Sequence, residues 1–229
     1  MLMRMKALTQ AARALAYYAA GLTDRAHLGD AHAQARVDLL TPLVKAYGTD
    51  VGVEVTSLGV QVHGGMGYIE EAGAAQHYRD ARISPIYEGT NGIQAADLVG
   101  RKLGLEGGAV FASLLSDMRS DGVGEERLMV LINDCEAVAA HLASASADDR
   151  MAASYPFLTM LSVAVSGWLM ALQLRAAEAA DGDSAFLAMK RAAARFYLDQ
   201  VVPEASGVKA AAMAPADILY GVEEGAFTA

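Results

Sequence analysis

The sequence has 229 residues, of which 54% are hydrophobic, with five prolines and one cysteine; that is enough apolar material for a substantial core, and the alanine-rich composition favours helices over strands. A formal net charge of −9 with scattered basic residues excludes the positive stripe of a nucleic-acid surface and fits a mildly acidic cytoplasmic protein. The single cysteine excludes an intramolecular disulfide and a cysteine-based metal site.

The chain opens inside a helical pattern. Leu2, Met5, Leu8, Ala12, Leu15, Ala16, Ala19 and Leu22 recur at three- and four-residue steps with no capping residue before them, which predicts a start truncated within a helix. Arg4, Lys6 and Arg13 interrupt the apolar residues, so no signal peptide is expected. A second helix is predicted through Val37, Leu40, Val44 and Tyr47, stopping at Gly48. Asp50 is then the expected N-cap of a third, with Val51, Val55, Leu58 and Val62 on one face and Gly64-Gly65 at its end. A short helical stretch from Ala72 to Ile83 is broken by Pro85. Thr90 or Asn91 caps the next helix, which presents Ile93, Ala96, Val99 and Leu103 before Gly104.

Gly104-Leu105-Glu106-Gly107-Gly108 is the best boundary in the chain, dividing it into two expected domains, residues 1–104 and 105–229. Four further helices are predicted near 109–119, 125–147, 156–180 and 184–212, with a bend or break at Pro203. Leu128, Leu131, Ile132, Cys135, Ala139 and Leu142 form one apolar stripe, which makes Cys135 a buried core thiol. From Met151 to Leu174 there is no charged residue, a length that could span a bilayer. Ser154, Tyr155, Thr159, Ser162, Ser166 and Gln173, with Pro156 in a first helical turn, favour a helix buried in a bundle without membrane insertion. No strand alternation or repeat occurs. The expected fold class is all-α, two packed helical bundles.

One segment carries chemistry. Residues 61–94 hold Gln61-Val62-His63-Gly64-Gly65-Met66-Gly67, then Arg79-Asp80, then Tyr87-Glu88-Gly89-Thr90-Asn91-Gly92. The glycines allow close backbone approach and exposed N–H groups, which suit a phosphate. Thr90 and Asn91 open a helix whose positive end also favours an anion. Glu88 stands just before it. Each feature also has a plain structural reading: a turn, a dipole-stabilising glutamate, a surface ion pair at Arg79 and Asp80, a packing histidine at His63. The residues alone point to a phosphate-ligand site beside a carboxylate.

The three motifs, in this order and spacing, resemble the end of the catalytic region of the acyl-CoA dehydrogenase family. There, a glutamine and a Gly-Gly-x-Gly motif precede an arginine–aspartate pair and then Tyr-Glu-Gly-Thr. The opening helix, Met3 through Tyr18, is similar to helices of the family's C-terminal bundle, and the resemblance covers about residues 1–104. Residues 105–229 resemble the extra helical domain of a longer subgroup, through the Phe157–Leu174 helix and the stretch from Ala194 to Val202-Pro203.

The resemblance implies an FAD-dependent enzyme that converts an acyl-CoA thioester to a trans-2-enoyl-CoA. Glu88 would remove the α-proton while N5 of FAD accepts a hydride from the β-carbon. A desolvated carboxylate suits such a weakly acidic proton. Some relatives place this glutamate on an earlier helix; here the loop position is filled. Tyr87 and Gly89 would line the acyl-CoA path. Gln61, Val62, His63, Gly64 and Gly65 would meet the FAD pyrophosphate from a neighbouring subunit, which implies a homo-oligomer, and Thr90, Asn91 and Gly92 would approach the same cofactor. The implied electron acceptor is an electron-transfer flavoprotein. Family members carry an N-terminal helical domain and a middle β-domain before this region, so the 229-residue chain alone is expected to bind FAD poorly and to lack useful activity. The alternative reading is a non-catalytic helical interaction or assembly module.

Overall fold

The computed structural model describes residues 1–122 and 124–228. Among them 85% are helical and none is in a strand, as an all-α sequence requires. Helix α1 (Leu2–His27) and helix α2 (Ala31–Val62) form a long hairpin. Asp30 makes the turn: its carboxylate accepts from the Ala33 amide, capping α2, and from Arg25 at 2.6 Å. A single turn α3 (Gly65–Tyr68), α4 (Ala74–Arg82) and α5 (Asn91–Gly100) follow along α2. After a tight stretch at Lys102–Gly108 come α6 (Ala109–Asp121), α7 (Glu126–Ser144) and α8 (Ala147–Ala179). Then α9 (Ser184–Phe196) passes through a π turn (Tyr197–Val201) into α10 (Val202–Ser206), with short α11 (Lys209–Ala212) and α12 (Asp217–Tyr220) at the end.

Helix α8 is the axle of the molecule. It is buried on nearly every side from Phe157 to Trp168, and it packs against α1, α2, α5, α7 and α9. Its composition and length would allow it to cross a membrane, but 78% of its most apolar window is buried in the fold, so this hydrophobic surface serves as core. Leu8, Leu39, Leu43 and Leu98 from before the 102–108 connection belong to the same apolar cluster as Leu114, Leu131, Phe157 and Leu161 from after it. Cys135 is fully buried on the expected stripe, and burial pushes its thiol pKa up.

Several element boundaries differ from expectation, each for a tertiary reason. The predicted second and third helices are one. Helix α2 runs unbroken through Pro42, Gly48 and Asp50, because Ala46, Tyr47 and Val51 are all buried and packing outweighs a glycine's cost of about 1 kcal/mol. Asp50 caps nothing; its carboxylate is held by Tyr155 and Asn91. The buried face of α5 is Ala95, Leu98 and Val99, while Ile93 is exposed. Pro156 lies well inside α8, not in its first turn. Near Pro203 the chain does not break sharply. The widened π turn at 197–201 precedes it, re-registering the backbone before a residue that has no amide to donate.

Two fully polar links cross the core. Arg36, 2% exposed, donates to Tyr18, Ser113 and Asp117, tying α2 to α1 and α6. The hydroxyls of Tyr47 on α2 and Tyr197 in the π turn meet at 2.6 Å in the interior. Tyr197→Phe is expected to destabilise by about 1–3 kcal/mol, because it strands the buried Tyr47 hydroxyl. Replacing both by phenylalanine is expected to recover most of that loss. Denaturant midpoints of the two single variants and the double variant measure it; equal, additive losses would mean the hydroxyl pair is not coupled.

Candidate active site

The glycine motif sits where α2 ends. His63 is the C-cap, and its ring Nδ1 lies 2.8 Å from the Gly59 carbonyl oxygen. Gly64 follows at φ 60°, ψ −145°, a conformation closed to residues with a Cβ. Gly67 is needed for room: a Cβ there would stand 2.2 Å from the Val60 carbonyl oxygen. Gly64 and Gly65 face open space, with nothing within 4 Å of an added Cβ, so a ligand can approach the backbone closely. Gln61, Val62 and His63 are exposed beside them.

The carboxylate loop runs from Ile83 to Thr90. The Tyr87 amide donates to the Ile83 carbonyl and the Asn91 amide to the Pro85 carbonyl, closing a tight bulge. At its tip Glu88 has φ 51° and Gly89 φ 88°. A glutamate in the left-handed region is uncommon and carries strain. Thr90 ends the loop by accepting from the Ile93 amide at 3.2 Å, which caps α5. Asn91 is 6% exposed, and its side chain is committed to α2: it donates to Ala46 O, Thr49 Oγ1 and Asp50 Oδ1 at 2.8–3.1 Å. Tyr87, Glu88 and Gly89 line a cleft of about 180 Å³ against Val44, Gly48 and Thr49 of α2. Thr90, Asn91 and Gly92 face a larger cavity of about 690 Å³ on the other side.

These groups fall into two places. The loop docks on α2 at residues 46–50, whereas Gln61 through Gly65 lie at the far end of that helix, roughly 17 Å further at 1.5 Å per residue. Within one chain the two segments do not converge on one small group. Arg79 pairs with Glu70 at 2.8 Å on the surface, not with its neighbour Asp80. The larger cavity also contains Tyr78 and Arg82, from the 61–94 segment but given no role by sequence, and residues that sequence reasoning did not place in a site: Asp50, Glu54 and, from α8, Tyr155. A partial signal existed, since Asp50, Val53, Glu54 and Ser57 share one face at helical spacing.

The described residues thus form an all-helical scaffold that presents a glycine-opened backbone and a carboxylate loop in the left-handed region at its surface. A family model for the acyl-CoA dehydrogenase C-terminal domain matches residues 1–103, and one described as acetyl-CoA dehydrogenase C-terminal like matches residues 124–223. The chain belongs to the acyl-CoA dehydrogenase family, with the C-terminal helical domain followed by that extra domain. It is 43% identical over 227 residues to a 3-methylmercaptopropionyl-CoA dehydrogenase of Ruegeria pomeroyi, covering 90% of this chain and 39% of that protein. It is 30% identical over 233 residues to a broad-specificity linear acyl-CoA dehydrogenase of Mycobacterium tuberculosis, covering 88% and 38%. The chain thus spans about two-fifths of the length of these relatives. In fold it is similar to an acyl-CoA dehydrogenase from Bacillus anthracis solved with FAD (TM-score 0.69, 23% identity, 99% of this chain and 42% of that one). A Caenorhabditis elegans relative solved with C11-CoA gives a TM-score of 0.70 at 21% identity, over 95% of this chain and 37% of that one.

Proposed function

We propose that these residues form the C-terminal part of an FAD-dependent acyl-CoA dehydrogenase, with Glu88 as the base that takes the substrate's α-proton. The observation that carries this reading is the position of Glu88 at a left-handed backbone angle, on a loop fastened to α2 through Asn91, inside the region matched by the family's C-terminal model. Strain held in place by surrounding bonds fixes where a carboxylate points.

FAD, when bound, supplies the acceptor for the β-hydride. The open backbone at Gly64 and Gly65 fits a pyrophosphate, and Gln61, Val62 and His63 would flank it. Thr90 and Gly92 would meet the same cofactor, with Asn91 between them as their anchor, its side chain spent on α2 and its amide on the Pro85 carbonyl. The wide separation of the two segments along α2 supports a site shared between subunits of a homo-oligomer. Glu88 would accept the α-proton; the Cα–H electron pair, delocalised toward the thioester carbonyl as enolate character develops, would become the Cα=Cβ bond as the β-hydride departs with its own pair to the flavin acceptor, giving the trans-2-enoyl thioester. Tyr87 and Gly89 flank the cleft beside Glu88 and would line the acyl path. Glu88 is exposed on this chain, so the water-poor surroundings that proton abstraction needs would come from bound flavin, thioester and further protein surface. An electron-transfer flavoprotein is the proposed oxidant of the reduced cofactor, and the cytoplasm the proposed location.

The test is anaerobic addition of straight-chain and methylthio-substituted acyl-CoA thioesters to the full-length flavoprotein that carries these residues. Loss of the flavin absorbance band with formation of the 2-enoyl-CoA is expected. A flavoprotein whose spectrum no thioester changes would instead favour the non-catalytic assembly module.

A further inference from the structure

Helix α8 lies outside the segment that holds Glu88, yet it reaches that segment through a short chain of side-chain bonds. The Tyr155 hydroxyl donates to Asp50 Oδ2 at 2.6 Å. The other oxygen, Asp50 Oδ1, accepts from Asn91 Nδ2 at 2.8 Å. Asn91 also closes the loop, since its amide donates to the Pro85 carbonyl at 3.0 Å, and Glu88 lies three residues before it. Both carboxylate oxygens of Asp50 therefore have a donor, one from each half of the molecule. Remove the Tyr155 hydroxyl and one oxygen loses its partner, leaving the carboxylate held by Asn91 alone. Burial, and then its bond to Asp50, pushes the Tyr155 phenol up to about 12, so it remains a donor across the neutral range.

We propose that Tyr155, acting through Asp50 and Asn91, is a positioning residue by which the appended helices set the orientation of the Glu88 loop. This inference rests on the reading of Glu88 as the base. It gives residues 105–229 a role in the chemistry beyond packing. Tyr155 also borders the larger cavity, and a direct substrate contact there is the competing account.

The experiment uses the full-length flavoprotein and its Tyr155→Phe, Asp50→Asn, double and Glu88→Gln variants. The rate of flavin reduction at saturating acyl-CoA, the dissociation constant of the thioester and the FAD content are measured for each. Displacing a base by about 1 Å slows a reaction by up to about 100-fold; on that scale Tyr155→Phe is expected to slow flavin reduction roughly 5-fold and Asp50→Asn roughly 30-fold, with thioester affinity and FAD content unchanged. Because the two act in series, the double variant is expected to be no slower than Asp50→Asn alone. If Asp50→Asn fails to fold, Tyr155→Phe carries the test, since it deletes one hydroxyl. Wild-type flavin reduction in Tyr155→Phe, even with a lowered melting temperature, overturns the inference, as do additive effects or a change confined to thioester affinity. A fully active Glu88→Gln removes the underlying reading. An inert Glu88→Gln beside an unaffected Tyr155→Phe removes only this inference.

Discussion

Replacing Glu88 by glutamine is expected to lower the rate of dehydrogenation by roughly 10²–10⁴-fold, with FAD content and acyl-CoA affinity preserved. Glutamine keeps the shape and loses the basicity, so the change removes about 3–5 kcal/mol of transition-state stabilisation. Glu88→Asp is expected to fall between, since withdrawing the carboxylate by one methylene misplaces it by more than 1 Å and such shifts cost about 100-fold. The measurement is stopped-flow flavin bleaching at saturating thioester. Turnover by Glu88→Gln at the wild-type rate would sink the assignment.

Stability should move the other way. Glu88 is exposed and sits at φ 51°, where a Cβ costs about 1–2 kcal/mol. Glycine relieves that strain but gains freedom in the unfolded chain, so Glu88→Gly is expected to hold or slightly raise stability while abolishing turnover. A residue that is worse for the backbone than glycine, yet lines a cleft proposed to take the acyl thioester, has the pattern of strain retained for function. Glu106 is the useful contrast. It has φ 50° in the connection between α5 and α6, so the angle alone does not mark a base. What sets Glu88 apart is its loop: closed by Asn91, fastened to α2, and open to a cleft.

The legible parts of this fold were those set by local pattern. The α7 stripe with Cys135, the Thr90 cap and the glycine-rich turn at the end of α2 all follow from spacing and residue type. The illegible parts were decided by contacts far along the chain. Gly48 and Asp50 look like a stop and a start, but Tyr155, 105 residues away, satisfies the Asp50 carboxylate, and the helix passes through. Pro156 looks like a beginning, but the all-round burial of the residues after it holds one continuous helix. The candidate site divides in the same way. Glu88 and its neighbours announce themselves by motif, whereas Asp50 and Tyr155 become visible only when α2, α5 and α8 are brought together.

Phe157→Ala is expected to be the most damaging core substitution. Phe157 is fully buried on α8 and packs against Phe111 of α6, with ring centroids 6.4 Å apart at 60°. Truncation removes the ring's transfer free energy and leaves a void between long, mutually braced helices that cannot collapse, so the loss is expected near the usual 3–5 kcal/mol. For a chain of this size that corresponds to a fall in Tm of roughly 6–20 °C. Val130→Ala serves as the control: Val130 is 54% exposed on neighbouring α7, and its loss is expected to stay within about 0.5 kcal/mol. The denaturation profile carries a second piece of information. Because Leu39 and Leu98 share one apolar cluster with Phe157, the destabilisation should reach both halves, and unfolding should remain a single transition that moves as a whole. A variant in which residues 105–229 melt early while the α1–α2 hairpin keeps its native midpoint would show that the two halves are energetically separate, and with that the hold of α8 on the Glu88 loop would lose its mechanical basis.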